Sequence, residues 1–121
     1  MKVRPLTLWL VAMLPVGISY AADFPAGSYT AHKNVTILFD QQGSFHVTQD
    51  GKTQVSGQYR VKGDMLELID KDGPWACTQA GQQSGTYQWK SDDAGLTLTK
   101  VNDPCKDRVG TLATSPWKPQ H

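Results

Sequence analysis

Between Gly27 and Asn102, turn-forming clusters break the chain about every ten residues, and the segments between them alternate apolar and polar side chains. The clusters are "DQQG" at Asp40, "QDGK" at Gln49, "KGD" at Lys62, "DKDGP" at Asp70, "SDDAG" at Ser91 and "NDP" at Asn102. Asp50-Gly51 supplies the positive φ angles of a tight hairpin. Between the breaks the apolar period is two: Val35, Ile37 and Phe39; Phe45 and Val47; Val55, Tyr59 and Val61; Leu66 and Leu68; Tyr87 and Trp89; Leu96 and Leu98. A period of two belongs to a strand with one buried face, not to a helix. The pattern predicts an all-β antiparallel up-and-down meander of about eight strands, the last near Arg108 to Thr114. "DPCKDR" (Asp103 to Arg108) has room for one short helical turn. A meander with one apolar face must hide that face. Closing into a small barrel does so and removes exposed strand edges; a two-sheet sandwich is the competing solution.

The segments also repeat. Gly-x-Tyr opens "GSYTAHKNVTILFDQQG" at Gly27, "GQYRVKGDMLELIDKDG" at Gly57 and "GTYQWKSDDAGLTLTKVND" at Gly85. Each unit reads as a hairpin, with Tyr inward on the outgoing strand and the apolar alternation on the return strand.

The N-terminal residues have the makeup of an export signal. Lys2 and Arg4 precede the apolar run Leu6 to Ile18, and "SYA" places small residues for cleavage after Ala21. Pro15 and Gly17 interrupt the run, which is short for a membrane span, although a retained signal anchor is the rival reading. The expectation is a cleaved signal at 1–21 and a single domain at 22–121, periplasmic or secreted, with no membrane attachment after cleavage. Without Lys2 and Arg4 the 12 basic residues become 10 against 11 acidic ones, a net charge of −1 with no Lys/Arg run. That excludes the electrostatic footprint of a nucleic-acid binder. Export places Cys77 and Cys105, the only cysteines, in an oxidising compartment. Their single possible intramolecular pairing is worth roughly 3 to 4 kcal/mol in the chain-entropy treatment. They are too far apart for a CxxC redox motif.

An opening Gly-x-aromatic on the first strand ("GSY", Gly27 to Tyr29), about eight meander strands and an Arg near the last strand (Arg108) resemble the lipocalin-like, or calycin, β-barrels. The likeness extends over nearly all of 22–121 and is closest in size to the compact members, among them avidins and bacterial metalloprotease inhibitors. It also takes in small exported bacterial proteins with no assigned function. In that group a Trp after the Gly packs across the closed barrel end and an Arg of the final strand lies over it. The resemblance implies these places for Tyr29 and Arg108, with Tyr standing where the group has Trp. It also implies the absence of a C-terminal helix to be a departure from ordinary lipocalins.

Chemistry is sparse. His32, His46 and His121 are scattered and carry no metal-site spacing, no G-x-S-x-G occurs, and the Asp residues fall mainly in turns. Alternation places no two carboxylates on one inward wall. The sequence thus predicts a binding protein without enzymatic activity, metal or cofactor, acting as a monomer. The inward aromatics Phe39, Phe45, Tyr59, Tyr87 and Trp89 either fill the barrel solidly or line a pocket for a small, largely apolar molecule, with Trp75 of "DGPWAC" at the rim or over the disulfide. Cys77, Cys105, Tyr29 and Arg108 are the expected structural residues, with Asp103 or Asp107 as ion partner of Arg108. "NVT" at Asn34 fits the N-glycosylation pattern, which a chance match explains as well. The alternative function is a protein-binding module, such as a protease inhibitor, that inserts "ADFPAG" (Ala22 to Gly27) into a partner's cleft.

Overall fold

A computed structural model describes residues 24–114 and 116–120. The predicted signal segment 1–21 and His121 lie outside them, as does the start of the predicted domain. The elements are β1 (Gly27–Thr30), β2 (Val35–Phe39), β3 (Ser44–Gln49), β4 (Lys52–Lys62), β5 (Met65–Asp72), β6 (Ser84–Asp92), β7 (Gly95–Asn102), α1 (Lys106–Leu112) and β8 (Lys118–Pro119). All strands pair antiparallel in one eight-stranded sheet of order β7-β6-β5-β4-β3-β2-β1-β8. The sheet curls until Leu96 of β7 meets Trp117 beside β8, and the two backbones exchange hydrogen bonds of 2.8 and 2.7 Å. That single bridge nearly closes the barrel.

The period-two pattern sets the inward face. Ile37, Phe39, Phe45, Val47, Leu66, Leu68, Tyr87, Leu96 and Leu98 are all at most 3% exposed. The register follows the pattern, with Phe39 opposite Phe45, Ile37 opposite Val47 and Leu66 opposite Tyr87. His46, on the opposite side of β3 from Phe45 and Val47, reaches across to Ser56 Oγ at 3.1 Å.

The Gly-x-Tyr units acquire a physical meaning. Each lies on the outgoing strand of a hairpin, β1-β2, β4-β5 or β6-β7. At Gly57 a Cβ would collide with the Ile69 carbonyl and the Phe45 ring; at Gly85 it would collide with the Asp103 carboxylate. Only a hydrogen fits beneath these contacts. Two residues on, each Tyr hydroxyl pins a segment outside its own strand. Tyr29 donates to the Pro25 carbonyl, Tyr59 to the Asp40 carbonyl and Tyr87 to the Asp103 carboxylate. The rings of Tyr29 and Tyr87 are buried and that of Tyr59 is partly buried, with each polar end satisfied, the usual arrangement for a core Tyr.

One predicted element changes type. The sequence pattern predicts a final strand at Arg108 to Thr114; instead Lys106–Leu112 is helical and the last strand is Lys118–Pro119. Cys105 has an extended backbone and acts as N-cap, its Sγ accepting from the Arg108 N–H at 3.4 Å. Buried Leu112 and partly buried Val109 are three residues apart and share the helix face that packs on the barrel. Those two apolar positions, an odd number of residues apart, would fall on opposite faces of a strand, so the period-two pattern does not support the strand expected here.

Candidate functional site

The two barrel ends are built differently. At the end formed by the β2-β3, β4-β5 and β6-β7 turns, Phe24 enters from outside the strands. Its ring lies edge-on to Phe39 (5.1 Å, 89°) and Trp89 (5.3 Å, 86°), and 5.7 Å from Tyr59. Phe39 also stacks edge-on to Tyr59 at 5.1 Å. Trp89 donates its indole N–H to the Gly63 carbonyl at 2.9 Å. Three of the predicted ligand-binding residues, Phe39, Tyr59 and Trp89, therefore share a cluster whose centre is occupied by Phe24, itself only 6% exposed. Phe45 (2% exposed) and Tyr87 (0%) lie deeper in the packed interior. Burial of Phe24 also commits part of the predicted inhibitory segment Ala22 to Gly27 to the protein's own core.

At the opposite end the barrel is capped by α1 and the loop 73–83, joined by the Cys77–Cys105 disulfide with Cα atoms 6.3 Å apart. Beneath the bridge lies a charged network. Asp103 takes Arg108 in a two-pronged pair, Nε to Oδ2 at 2.7 Å and Nη2 to Oδ1 at 2.6 Å. Asp70 Oδ2 lies 3.1 Å from Arg108 Nη1, and the remaining guanidinium donors reach the carbonyls of Gln82 and Gln83 at 2.9 and 3.1 Å. The disulfide is coupled to both acids through its backbone. Cys77 N–H donates to Asp70 Oδ2 and Cys105 N–H to Asp103 Oδ1, each at 2.8 Å.

This arrangement corrects the expectation that no two carboxylates share an inward wall. Asp70 (3% exposed) and Asp103 (8%) converge on Arg108 (7%). The alternation itself held the signal for Asp70, which continues the inward series Leu66, Leu68. Arg108 departs from the calycin resemblance, since it comes from α1 and not from the final strand, and its partners are carboxylates and carbonyls. The ring of Tyr29 is paired instead with Phe39, at 6.4 Å.

The two acids are driven in opposite directions. Burial pushes the Asp70 carboxyl above the ordinary carboxylate range, outweighing the Cys77 N–H and the Arg108 charge. Burial acts the same way on Asp103, but hydrogen bonds from Arg108, Tyr87 and the Cys105 N–H outweigh it and hold that carboxyl below the usual range. Burial, reinforced by the Asp103 carboxylate, pushes Tyr87 far above its ordinary value. Burial disfavours the Arg108 charge, and the two carboxylates more than restore it. Asp70 Oδ1 is buried with no hydrogen-bond partner.

Two neighbouring clefts open at this helix-capped end. One, of about 280 Å³, has Ala31, Val35, Trp75 and Trp117 as its apolar wall and Lys33, Gln49 and Thr111 at its edge. The other, of about 410 Å³, runs between Pro74 to Cys77 and Asp107, Arg108 and Thr111. Trp75, 38% exposed, and Thr111 belong to both. Of the predicted ligand-binding residues, Trp75 alone is in this group. Trp117 was missed because "SPWKPQ" has no alternation to place it, yet it is 1% exposed and donates its indole N–H to the Leu112 carbonyl at 3.1 Å. Among the described residues no group of acids, His and Cys has the geometry of a metal site, and no helix is long and apolar enough to cross a membrane. Compared with protein-family models, curated proteins and solved structures, the chain matches none.

Proposed function

We propose that this protein is an exported, lipocalin-like binding barrel, periplasmic or secreted, that takes a small, largely apolar molecule at its helix-capped mouth without transforming it. The observation that carries the reading is the pair of clefts sharing Trp75, with Trp117 beneath, on a barrel whose inward aromatic and aliphatic side chains are buried. A half-exposed Trp beside a built apolar wall offers a ligand surface to bury, at roughly 25 cal/mol per Å² before association costs. The Cys77–Cys105 bridge supports an oxidising compartment and fixes Trp75 relative to α1, which lowers the ordering cost of binding. Burial of Phe24 disfavours the inhibitor alternative, because the segment that would reach a partner is anchored within the barrel.

The experiment is a titration of indole fluorescence with a panel of aromatic and aliphatic apolar compounds, in the wild type and in Trp75→Ala. Saturable quenching at micromolar concentration that disappears in the variant is the expected result. No spectral change with any compound up to high micromolar concentration overturns the reading.

A further inference from the structure

The loop 73–83 and α1 form a cap whose two halves are tied to each other by the disulfide, and neither cysteine lies on a strand. Asp70, inward on β5, grips both halves. Its Oδ2 accepts from the Cys77 N–H of the loop at 2.8 Å and meets Arg108 Nη1 of α1 at 3.1 Å. Its own N–H donates to the Gln83 carbonyl at 2.9 Å. Among the described residues no other strand side chain bonds to both loop and helix. Asp70 and Asp103 are buried around one guanidinium, which leaves one negative charge in excess. Asp103 is well supplied with donors, from Arg108, the Tyr87 hydroxyl and the Cys105 N–H. Asp70 is not. Its Oδ1 has no partner, so a proton placed there displaces neither bond of Oδ2.

The surroundings of Asp70 supply no second counter-charge. β4 places Gly57 opposite it, and the loop has no ionisable side chain besides the bridged Cys77. β6 turns the Tyr87 hydroxyl to Asp103, while Lys71 and Asp72 of β5 and Lys106 and Asp107 of α1 are exposed. When two carboxylates share a buried site, the one with fewer donors holds its proton longer. Burial accordingly lifts the Asp70 carboxyl above its ordinary range. Opening the cap would let water reach the carboxylate and return it to that range. The closed cap therefore binds the proton more tightly than the open one, and the proton favours closure in return. That contribution is complete below the ordinary carboxylate range and is lost as pH rises through the raised value. We propose that Asp70 is a pH-responsive latch: protonated, it holds the loop and α1 closed on the barrel, and ionised, it lets the cap loosen and the Trp75 clefts lose their fixed walls. The consequence for the clefts rests on the mouth-binding reading above; the latch itself does not.

The test is backbone hydrogen exchange in the whole protein from about pH 4 to about pH 8, corrected for the intrinsic rate at each pH. The Cys77 N–H, held by Asp70, and the Trp75 N–H, held by the Gln54 carbonyl, report on the cap. The Trp89 N–H, held by the Asp64 carbonyl, reports on the other end. Corrected exchange at Cys77 and Trp75 should rise at least about tenfold with pH while Trp89 stays level. The midpoint should coincide with that of the Asp70 carboxyl carbon signal, and Asp70→Asn should exchange slowly throughout. If that variant fails to fold, the coincidence of midpoints in the wild type decides. Equal rises at both ends, or a midpoint that does not follow Asp70, overturns the latch. Naphthyl-ethanol, whose charge does not change with pH, should bind more tightly in mild acid than at neutral pH. Its failure to bind at any pH overturns the mouth-binding reading and leaves the latch to stand on the exchange data.

Discussion

The Phe24 end and the helix-capped end solve the same problem by opposite means. At the Phe24 end, four aromatic rings from β2, β4, β6 and the segment before β1 close the barrel by contact. Apolar packing has no preferred direction, and the rings close on one another, Phe24 and Phe39 buried and Tyr59 and Trp89 partly so. At the helix-capped end, closure depends on a disulfide and on an Arg held by two carboxylates and two carbonyls. Those interactions require particular distances and angles, and satisfying them holds α1 and the Trp75 loop in place while leaving clefts between them. The closed end is packed side chain on side chain, and the propped end leaves the clefts proposed above as the binding surface.

The largest effect expected on this contrast comes from removing the prop. Arg108→Met leaves Asp70 and Asp103 buried without a counter-charge and should cost about 3–5 kcal/mol in urea unfolding. A cost under about 1 kcal/mol would show that the network does not hold that end. Cys77→Ser should cost roughly 2–5 kcal/mol, and reductant should lower the melting temperature of the wild type but not of the variant. Equal responses to reductant in both proteins would show that the bridge does not act as a cross-link. Phe24→Ala, at the other end, should cost about 3 kcal/mol through the cavity it leaves. Ligand affinity at the helix-capped mouth should remain unchanged, and a parallel loss of affinity would show the two ends to be coupled.

Smaller effects separate the ends further. The folded state holds Asp70 above the usual carboxylate pKa, so ionising it costs stability as pH rises through that raised value. Asp103 is held below the usual range, and the stability it contributes is present above about pH 4 and is lost as pH falls through its depressed value. The melting temperature should therefore rise on mild acidification from neutral pH and fall again in stronger acid. In Asp70→Asn the rise should be absent; its persistence would assign it to another group. Trp75→Ala should change stability least, by about 0.5 kcal/mol, since its ring is partly exposed, while weakening ligand binding roughly tenfold or more.

The strands were legible in the sequence because a half-buried strand records its burial in every second residue. Val35, Ile37 and Phe39, or Leu66 and Leu68, can face inward together in no other local structure of that length. The Gly-x-Tyr units were legible as hairpin starts, but the purpose of each Tyr was not. A hydroxyl that reaches Pro25, Asp40 or Asp103 depends on contacts between segments 4 to 19 residues apart. The helix-capped end was the least readable part. Its parts come from β5, the loop 73–83, α1 and Trp117, none of which announces the others. The 106–112 helix spans only about two turns, too few to display a helical period in the sequence. Asp70 sits in phase with Leu66 and Leu68, but its place in the turn-like cluster "DKDGP" led to a turn reading and hid its inward position.

The most direct measurement is a titration followed by the indole N–H signals of Trp75, Trp89 and Trp117 in nitrogen-15 spectra as a small, uncharged aromatic compound such as naphthyl-ethanol is added. The account predicts saturable shifts at Trp75 and Trp117 with Trp89 unmoved. Shifts at Trp89 with Trp75 unmoved would place the ligand at the Phe24 end and contradict it.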